Sequence, residues 1–196
     1  MLTEPPENHW TSVPHLFQTR RVSGRLVLLC GKSFSGKSTL ARALADALPA
    51  VIVSLDAIND ERKLQSGAGI PLEEWARTHD IAHGRVGEAL RNGSIVIVDD
   101  TSSPRFLREA WRELGAILDA PVVLVFIDAA PATVRSRQAA NRRAPLRHDV
   151  RDAVLSGHLD GFEAPDDDER PVRLSADDAL SPFIVEKVRR AISTAG

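Results

Sequence analysis

The feature that most constrains the fold lies between residues 26 and 48, where an apolar run, a glycine-bounded loop and a helical pattern follow one another. The run L-V-L-L-C at residues 26–30 has the length and composition of a buried β-strand. Leucine and alanine then recur at helical spacing from Leu40 until Pro49. Between them stands G-K-S-F-S-G-K-S, a full match to G-x-x-x-x-G-K-[ST]. A strand, a glycine-rich loop and a helix in this order predict a phosphate-binding loop.

Each residue type in this loop suits contact with a polyphosphate. Gly31 and Gly36 let the backbone turn tightly and approach an anion without a Cβ in the way. The N–H groups of the loop and of the following helix N-terminus favour negative charge. Lys37 supplies a cation for the β- and γ-phosphates, and the Ser38 hydroxyl is a ligand for Mg²⁺. We therefore expect ATP and Mg²⁺ as cofactors, with the nucleotide contacting Gly31, Lys32, Ser33, Phe34, Ser35, Gly36, Lys37, Ser38 and Thr39.

Strand and helix patterns alternate along the rest of the chain. Apolar runs at residues 51–55, 94–98, 121–127 and 172–174 predict four further strands, and helical patterns separate them. This alternation predicts an α/β P-loop NTPase fold, with a five-stranded parallel sheet covered by helices on both faces. We expect one domain over residues 25–196, preceded by an irregular arm at 1–24 with one short helix near residues 15–20. The acidic run at 166–169 is interpreted as a solvated turn.

Composition excludes several other classes of protein. Hydrophobic residues make up 43% and charged residues 27% of the 196, as in ordinary globular domains. A net charge of -2 argues against a general nucleic-acid or membrane surface. The single cysteine, Cys30, lies in a predicted buried strand and excludes an intrachain disulfide. No apolar run reaches the length of a membrane span, so a cytoplasmic location is expected.

Two aspartates follow predicted strands and are candidates for chemistry. Asp56 and Asp99 each stand at the carboxyl end of an apolar run, and in a parallel sheet these ends share the edge where ligands bind. One carboxylate near Mg²⁺ can hold the metal, and we assign this role to Asp99 together with Ser38. The other can orient or deprotonate an attacking hydroxyl, and we assign that role to Asp56. Asp100 can equally serve as a cap for the next helix.

A cluster of arginines on the fifth predicted helix provides candidate ligands for the transferring phosphoryl group. Arg135 and Arg142 are seven residues apart and share one face of the helix, while Arg137 and Arg143 lie to its sides. Arginines on a closing segment can neutralise charge that develops in a phosphoryl-transfer transition state. We therefore predict a lid at about residues 135–161 and catalytic roles for Lys37, Asp56, Arg135 and Arg142. A solvated basic face is the alternative.

Two histidines have the spacing of metal ligands. His79 and His83 are four residues apart on a predicted helix. No third ligand stands beside them in the sequence, and His79 shares a face with Trp75 and Val86. Packing within the core is therefore the favoured interpretation over a zinc site. Contact with a substrate stays open for either histidine.

Taken together, four segments resemble the zeta-toxin-like P-loop kinases, a group that includes chloramphenicol phosphotransferase and the 5′-hydroxyl polynucleotide kinases. They are G-K-S-F-S-G-K-S-T, S-L-D-A-I from residue 54, I-V-I-V-D-D-T from residue 95, and R-S-R-Q-A-A-N-R-R from residue 135. The resemblance implies a nucleoside-monophosphate-kinase-like fold with a lid, ATP-Mg²⁺ as donor, a hydroxyl acceptor and Asp56 as general base. Polynucleotide kinases carry D-x-x-R after the second strand, whereas Asn59 occupies that arginine position here and Arg62 is the nearest arginine.

These observations predict an ATP-dependent phosphotransferase whose partners are ATP and a small hydroxylated substrate. The departure at Asn59 favours a small molecule over a nucleic acid, although a 5′-hydroxyl polynucleotide kinase is the nearest alternative. A nucleotide-dependent switch or ATPase without an acceptor is a second alternative from a different class. Guanine specificity is not expected, because the sequence has no N-K-x-D motif. The sequence does not specify the oligomeric state.

Overall fold

A computed structural model describes residues 24–64, 69–176 and 181–194, and it contains a five-stranded parallel sheet. The elements in chain order are β1 (Arg25–Cys30), α1 (Lys37–Ala47), β2 (Val51–Ser54), α2 (Leu55–Glu61), α3 (Leu72–Arg91), β3 (Ile95–Asp99), α4 (Arg105–Ile117), β4 (Val122–Asp128), α5 (Pro131–Arg143), α6 (Asp152–Asp160), β5 (Val172–Ser175) and α7 (Pro182–Thr194), with a 3₁₀ turn at Asp167–Glu169. The strands are ordered β2-β3-β1-β4-β5 and every pair is parallel. The predicted fold class is confirmed. The predicted arm and its short helix lie outside the described residues, apart from Gly24.

Helices cover both faces of the sheet because the buried strands are apolar on both sides. Val27 and Leu29 of β1 pack on one face, in a core shared with α1, α5, α6 and α7. Leu26 and Leu28 point to the other face, in a core shared with α2, α3 and α4. This alternation is the period of two expected of a β-strand. Both faces are therefore buried, as the unbroken apolar run at residues 26–30 predicts.

Strand β2 ends one residue earlier than the sequence predicts. Ser54 is the N-cap of α2, and its side-chain oxygen accepts a hydrogen bond from the N–H of Ala57 at 3.3 Å. Because a capping serine satisfies a free helix donor, the helix begins directly after the strand. Asp56 consequently lies in the first turn of α2 and Asp99 is the last residue of β3, so both remain at the carboxyl edge of the sheet.

The acidic run at 166–169 is not simply a solvated turn, and the prediction is wrong for its last residue. The Glu169 and Arg108 side chains are each 1% exposed and form an ion pair at 2.7 Å. Arg112 pairs with the other carboxylate oxygen of Glu169 at 2.9 Å. This network fixes the turn before β5 to α4, whereas Asp166, Asp167 and Asp168 are exposed as expected.

Cys30 is buried at the end of β1, as predicted from its position in the strand. Its thiol donates to the carbonyl oxygen of Ser102 at 3.4 Å, and burial raises its pKa to about 12. The thiol is therefore protonated and unreactive at neutral pH. Over the three described ranges, none of the helices has the length and apolar character needed to cross a membrane.

Candidate active site

The phosphate loop, residues 31–39, turns through backbone conformations that favour glycine. Gly31 has φ 153° and Gly36 has φ 112°. A Cβ on Gly31 would lie 2.8 Å from the carbonyl oxygen of Ile127, so a side chain there would require the backbone to move. Helix α1 begins directly after Gly36, with no side-chain cap and no acidic residue in its first turn. The helix N-terminus is thus left open to an anion.

Lys37 is folded over this turn and is almost fully buried. Its Nζ donates to the carbonyl oxygens of Gly31 and Lys32, both at 2.8 Å. Burial lowers the pKa of Lys37, and the carboxylates of Asp99 and Asp100 oppose this effect. The ammonium group is therefore held inside the loop, where the β- and γ-phosphates of a nucleotide are expected.

Arg137, on α5, forms hydrogen bonds with the backbone of the phosphate loop. Its guanidinium donates to the carbonyl oxygens of Phe34 at 3.2 Å and Ser35 at 2.7 Å. A third bond, at 3.0 Å, reaches the carbonyl oxygen of Ala176 after β5. These contacts position the loop backbone, and the planar guanidinium is suited to bridging several acceptors at once.

Two carboxylates, Asp99 and Asp100, stand at the carboxyl end of β3 and suit a hydrated divalent cation. The Ser38 hydroxyl and the Asp99 carboxylate lie beside the loop and line the same cleft. Burial raises the pKa of Asp99, and Lys37 and Ser38 oppose this rise. Asp100 accepts from the N–H of Ser102 at 2.8 Å and from its hydroxyl at 3.2 Å. Oxygen donors of this kind fit Mg²⁺, which usually takes one or two carboxylates and completes its shell with water and phosphate oxygens.

Asp56 faces an arginine that the sequence analysis did not single out. Nη2 of Arg147 lies 3.2 Å from a carboxylate oxygen of Asp56, and its guanidinium sits 4.8 Å from the centroid of the Phe34 ring. Arg147 thus joins the first turn of α2 to the phosphate loop. It belongs to the predicted lid, but it follows α5 in irregular structure, so no helical spacing marked it in the sequence.

The two arginines predicted from helical spacing have other partners in the structure. Arg142 pairs with Asp149 and Asp152, both at 2.9 Å, and donates to the carbonyl oxygen of Val150 at 3.2 Å. Arg135 is exposed and lies 3.5 Å from the Ser156 hydroxyl. Arg142 therefore holds the segment between α5 and α6 in place, and Arg135 is near α6. Their predicted contact with a phosphoryl group stays a prediction.

One cleft brings most of these groups together. Its lining comprises Ser33, Lys37, Ser38, Asp56, Trp75, Asp99, Asp100, Thr101, Arg147, Val150 and His158. Five parts of the chain contribute: the phosphate loop, α2, α3, the end of β3, and the segment after α5 together with α6. Three of the predicted nucleotide residues, Ser33, Lys37 and Ser38, consequently face the same space as the predicted magnesium ligand Asp99 and the predicted base Asp56. Trp75 and His158 are cleft residues that sequence reasoning did not assign to the site.

His79 and His83 belong to an aromatic cluster between α3 and α4. The His83 ring stacks on Trp111 with centroids 3.8 Å apart and planes 5° apart. Nδ1 of His79 is buried without a hydrogen-bond partner in the described structure, and burial lowers the pKa of His79. Within residues 24–64, 69–176 and 181–194, no three His, Cys, Asp or Glu side chains are grouped to hold a metal. The stacking of His83 on Trp111 agrees with the packing interpretation.

Asn59, which stands where polynucleotide kinases carry the arginine of D-x-x-R, and the nearest arginine, Arg62, both contact residues of α3. Asn59 is fully buried, and its side-chain oxygen accepts from the Thr78 hydroxyl at 2.6 Å. The Arg62 guanidinium donates to the carbonyl oxygen of Glu74 and forms an ion pair with its carboxylate. Arg62 is therefore tied to the start of α3 and is absent from the cleft lining.

Comparison with known proteins identifies a family and a set of similar folds. The family model described as an AAA domain, AAA_33, matches residues 26–165. Among curated proteins, none matches the sequence. A gluconokinase from Sinorhizobium meliloti 1021 is 24% identical, with a TM-score of 0.60 over 89% of this chain and 92% of its own. Kti12 from Chaetomium thermophilum, solved with ADP-AlF3, is 18% identical, with a TM-score of 0.70 over 87% and 98%. The APS kinase CysC from Mycobacterium tuberculosis is 20% identical, with a TM-score of 0.63 over 87% and 96%.

Proposed function

Because the chain belongs to the AAA-domain family AAA_33, we propose that it is an ATP-dependent phosphotransferase that moves the γ-phosphoryl group of ATP to a hydroxyl of a small molecule. The observation that carries this proposal is the shared cleft, in which Asp56 faces the phosphate loop, Ser38 and Asp99. Structures of similar fold support it, since one is a gluconokinase and another an APS kinase solved with AMPPNP and APS. The narrower resemblance to zeta toxins and chloramphenicol phosphotransferase stays a prediction.

In the proposed reaction, the phosphate loop binds the β- and γ-phosphates through backbone N–H groups and Lys37. Ser38 and Asp99 would hold Mg²⁺, which supplies charge neutralisation at the phosphates when bound. The acceptor oxygen attacks the γ-phosphorus while its proton passes to a carboxylate oxygen of Asp56. The bond to the β–γ bridging oxygen breaks, and its electron pair leaves with ADP.

Arg147 is the lid residue that we assign to the transferring phosphoryl group. It already lines the cleft and rests on the Phe34 ring of the phosphate loop. Its ion pair with Asp56 is partly exposed and is worth at most about 1 kcal/mol. A negatively charged γ-phosphate can therefore draw the guanidinium away and free Asp56 for the acceptor. Arg135 and Arg142 remain predicted contributors to the lid.

Two alternative functions differ from this proposal in their structural requirements. A 5′-hydroxyl polynucleotide kinase would need a cation for the acceptor phosphate at the D-x-x-R position, where the buried Asn59 stands, and the nearest arginine, Arg62, is bound to Glu74. A nucleotide-dependent switch needs no acceptor base, so it would not require a carboxylate at Asp56. The cleft thus favours a small-molecule kinase.

The test compares acceptor-dependent ADP release by the native protein, Asp56→Asn and the matched control Asp60→Asn. Asp60 is exposed on the same helix and lies 3.6 Å from His148, outside the cleft lining. We expect Asp56→Asn to lose roughly 100-fold or more in kcat, as for removal of a general base, while still binding ATP. The control should keep its activity. Equal ADP release by all three proteins, independent of any acceptor, would favour the switch.

A further inference from the structure

We divide the residues that line the cleft into a donor end and an acceptor end, according to the elements that carry them. The donor end is made by the phosphate loop residues Ser33, Lys37 and Ser38, with Asp99 beside them. The other end is formed by Asp56, Trp75, Asp100, Val150 and His158, on α2, α3, the loop after β3 and the lid. An acceptor reaching Asp56 has to lie against this second end.

The charges at the acceptor end are carboxylates. Asp56 and Asp100 both line it, and Asp100 is held by the Ser102 N–H and hydroxyl. Desolvation lowers the pKa of His158 from its ordinary 6.5, so this imidazole is uncharged at neutral pH. Among the cleft-lining residues the cations are Lys37, which is buried in the phosphate loop, and Arg147, which rests on Phe34 and pairs with Asp56 at 3.2 Å. In the proposed reaction Arg147 leaves Asp56 for the γ-phosphate, so both cations then lie on the donor side.

Cations on the neighbouring surface of α3 are also occupied. Arg62 and Arg77 lie beside the first turns of this helix, and each pairs with the carboxylate of Glu74. Once Arg147 has moved to the γ-phosphate, an anionic group on an acceptor would meet Asp56 and Asp100 with no further cation among the described residues that line the cleft. Unfavourable like-charge contacts of this kind select against anionic partners.

The uncharged side chains at this end include two apolar ones, Trp75 and Val150. Trp75 is half-buried, packs on its inner side against the core beneath α3, and also lines the cleft. The His79 ring lies 6.2 Å from the indole, centroid to centroid, and so supports it within the helix. Val150 adds a second apolar contact from the lid. A rigid indole beside carboxylates suits a ring that has an apolar face and hydroxyls at its edge.

We propose that the acceptor is an uncharged polyhydroxylated ring compound, which lies with its apolar face on Trp75 and presents one hydroxyl to Asp56. The inference rests on the proposed phosphotransferase function and adds the substrate class. Asp100 accepts a hydrogen bond from a second hydroxyl of the ring. Specificity thus comes from the carboxylates, which accept hydrogen bonds from hydroxyls and repel anions.

The experiment measures transfer of γ-phosphate from ATP-Mg²⁺ to matched pairs of acceptors that differ in charge. The pairs are glucose and gluconate, inositol and inositol monophosphate, and adenosine and its 5′-monophosphate. We expect kcat/KM for the neutral members that serve as acceptors to exceed that of their anionic counterparts at least tenfold. Equal or better transfer to the anionic members would contradict the proposal of an uncharged acceptor, while the proposed kinase function would still stand. If no acceptor is phosphorylated while ATP still binds, the kinase proposal fails and the acceptor class fails with it.

Variants of Trp75 separate a role in acceptor binding from a role in folding. Trp75→Ala should raise the acceptor KM about tenfold with little change in kcat or in ATP binding, and Trp75→Phe should restore most of the loss. The matched control is Phe106→Ala, which removes an aromatic ring that is 66% exposed on α4 and outside the cleft lining. An acceptor KM that is unchanged in Trp75→Ala would contradict the proposed contact between Trp75 and the acceptor ring.

Discussion

Lys37 and Arg147 are the two cations near the expected phosphate position, and they differ in burial and in the number of bonds that hold them. Lys37 is buried and bonded to two loop carbonyl oxygens, so it is fixed before any nucleotide arrives. Arg147 is exposed and held by one ion pair and one ring contact, so it can move at small cost. At the residue scale, the fixed lysine therefore suits binding and the movable arginine suits the transition state.

Replacing Arg147 by alanine should reduce catalysis more than ATP binding. A side chain that stabilises charge developing in the transition state contributes roughly 100-fold to 1000-fold in kcat. The measurement is kcat and the ATP affinity of Arg147→Ala beside Arg143→Ala, an exposed arginine whose described bond is to the Ala139 carbonyl oxygen of its own helix. Loss of activity in Arg135→Ala or Arg142→Ala, with Arg147→Ala unaffected, would return the role to the arginines first predicted.

At the scale of elements, the buried Arg108–Glu169–Arg112 network joins α4 to the turn before β5. The same Arg108 guanidinium donates to the carbonyl oxygen of Ser102 at 3.0 Å, and also bonds that of Ser103. These residues belong to the loop that carries Asp100 away from β3. The network thus holds one wall of the cleft while it fixes the edge of the sheet.

Substituting Glu169→Gln should destabilise the protein by about 3 kcal/mol at pH 7, because it leaves buried arginine charge unpaired. The hydrogen bond from Arg108 lowers the pKa of Glu169 from 4.5 to about 2. A depressed carboxyl pKa stabilises the folded state above pH 4.5, and this contribution is lost as the pH falls towards 2.

Chemical denaturation of native protein and Glu169→Gln across this pH range is the measurement. The difference in free energy of unfolding should be constant above about pH 5 and should shrink below it. Asp167→Asn serves as the control, since its side chain is 96% exposed and pairs with Arg173 at the surface. A Glu169→Gln difference that does not depend on pH would contradict the role assigned to this ion pair.

At the scale of the whole molecule, parallel topology explains why distant segments meet at one cleft. Strands β1, β2 and β3 are neighbours in the order β2-β3-β1, and their carboxyl ends carry the phosphate loop, Asp56 and Asp99. Binding of ATP-Mg²⁺ should therefore stabilise the whole domain and not only the loop.

Saturation with ATP-Mg²⁺ at 100 times its Kd should stabilise the native protein by about 2.7 kcal/mol, or roughly 5–10 °C in Tm for a domain of this size. Lys37→Ala should lose most of this shift, because the variant lacks the cation inside the loop. Thermal denaturation with and without nucleotide measures both proteins. Lys187→Ala, an exposed lysine on α7, should keep the full shift. An undiminished shift in Lys37→Ala would contradict the assigned nucleotide site.

The parts of the site that the sequence predicted are those set by local pattern and by sheet topology. The loop motif, Asp56 and Asp99 follow from contiguous residues and from the rule that parallel strands share a carboxyl edge. Arg147 could not be found this way, since it lies in irregular structure 91 residues from its partner Asp56. The Arg108–Glu169 pair is likewise 61 residues apart. Helical spacing instead drew attention to Arg142, whose partners are local.

The measurement that tests the central claim most directly is the fate of labelled γ-phosphate from ATP-Mg²⁺. Products from native protein and Asp56→Asn are separated into phosphate esters and inorganic phosphate. We predict that the native protein places the label in an ester of a hydroxylated small molecule and that Asp56→Asn does not. Label found only in inorganic phosphate, at equal rates in both proteins, would contradict the assignment of this chain as a phosphotransferase with Asp56 as its base.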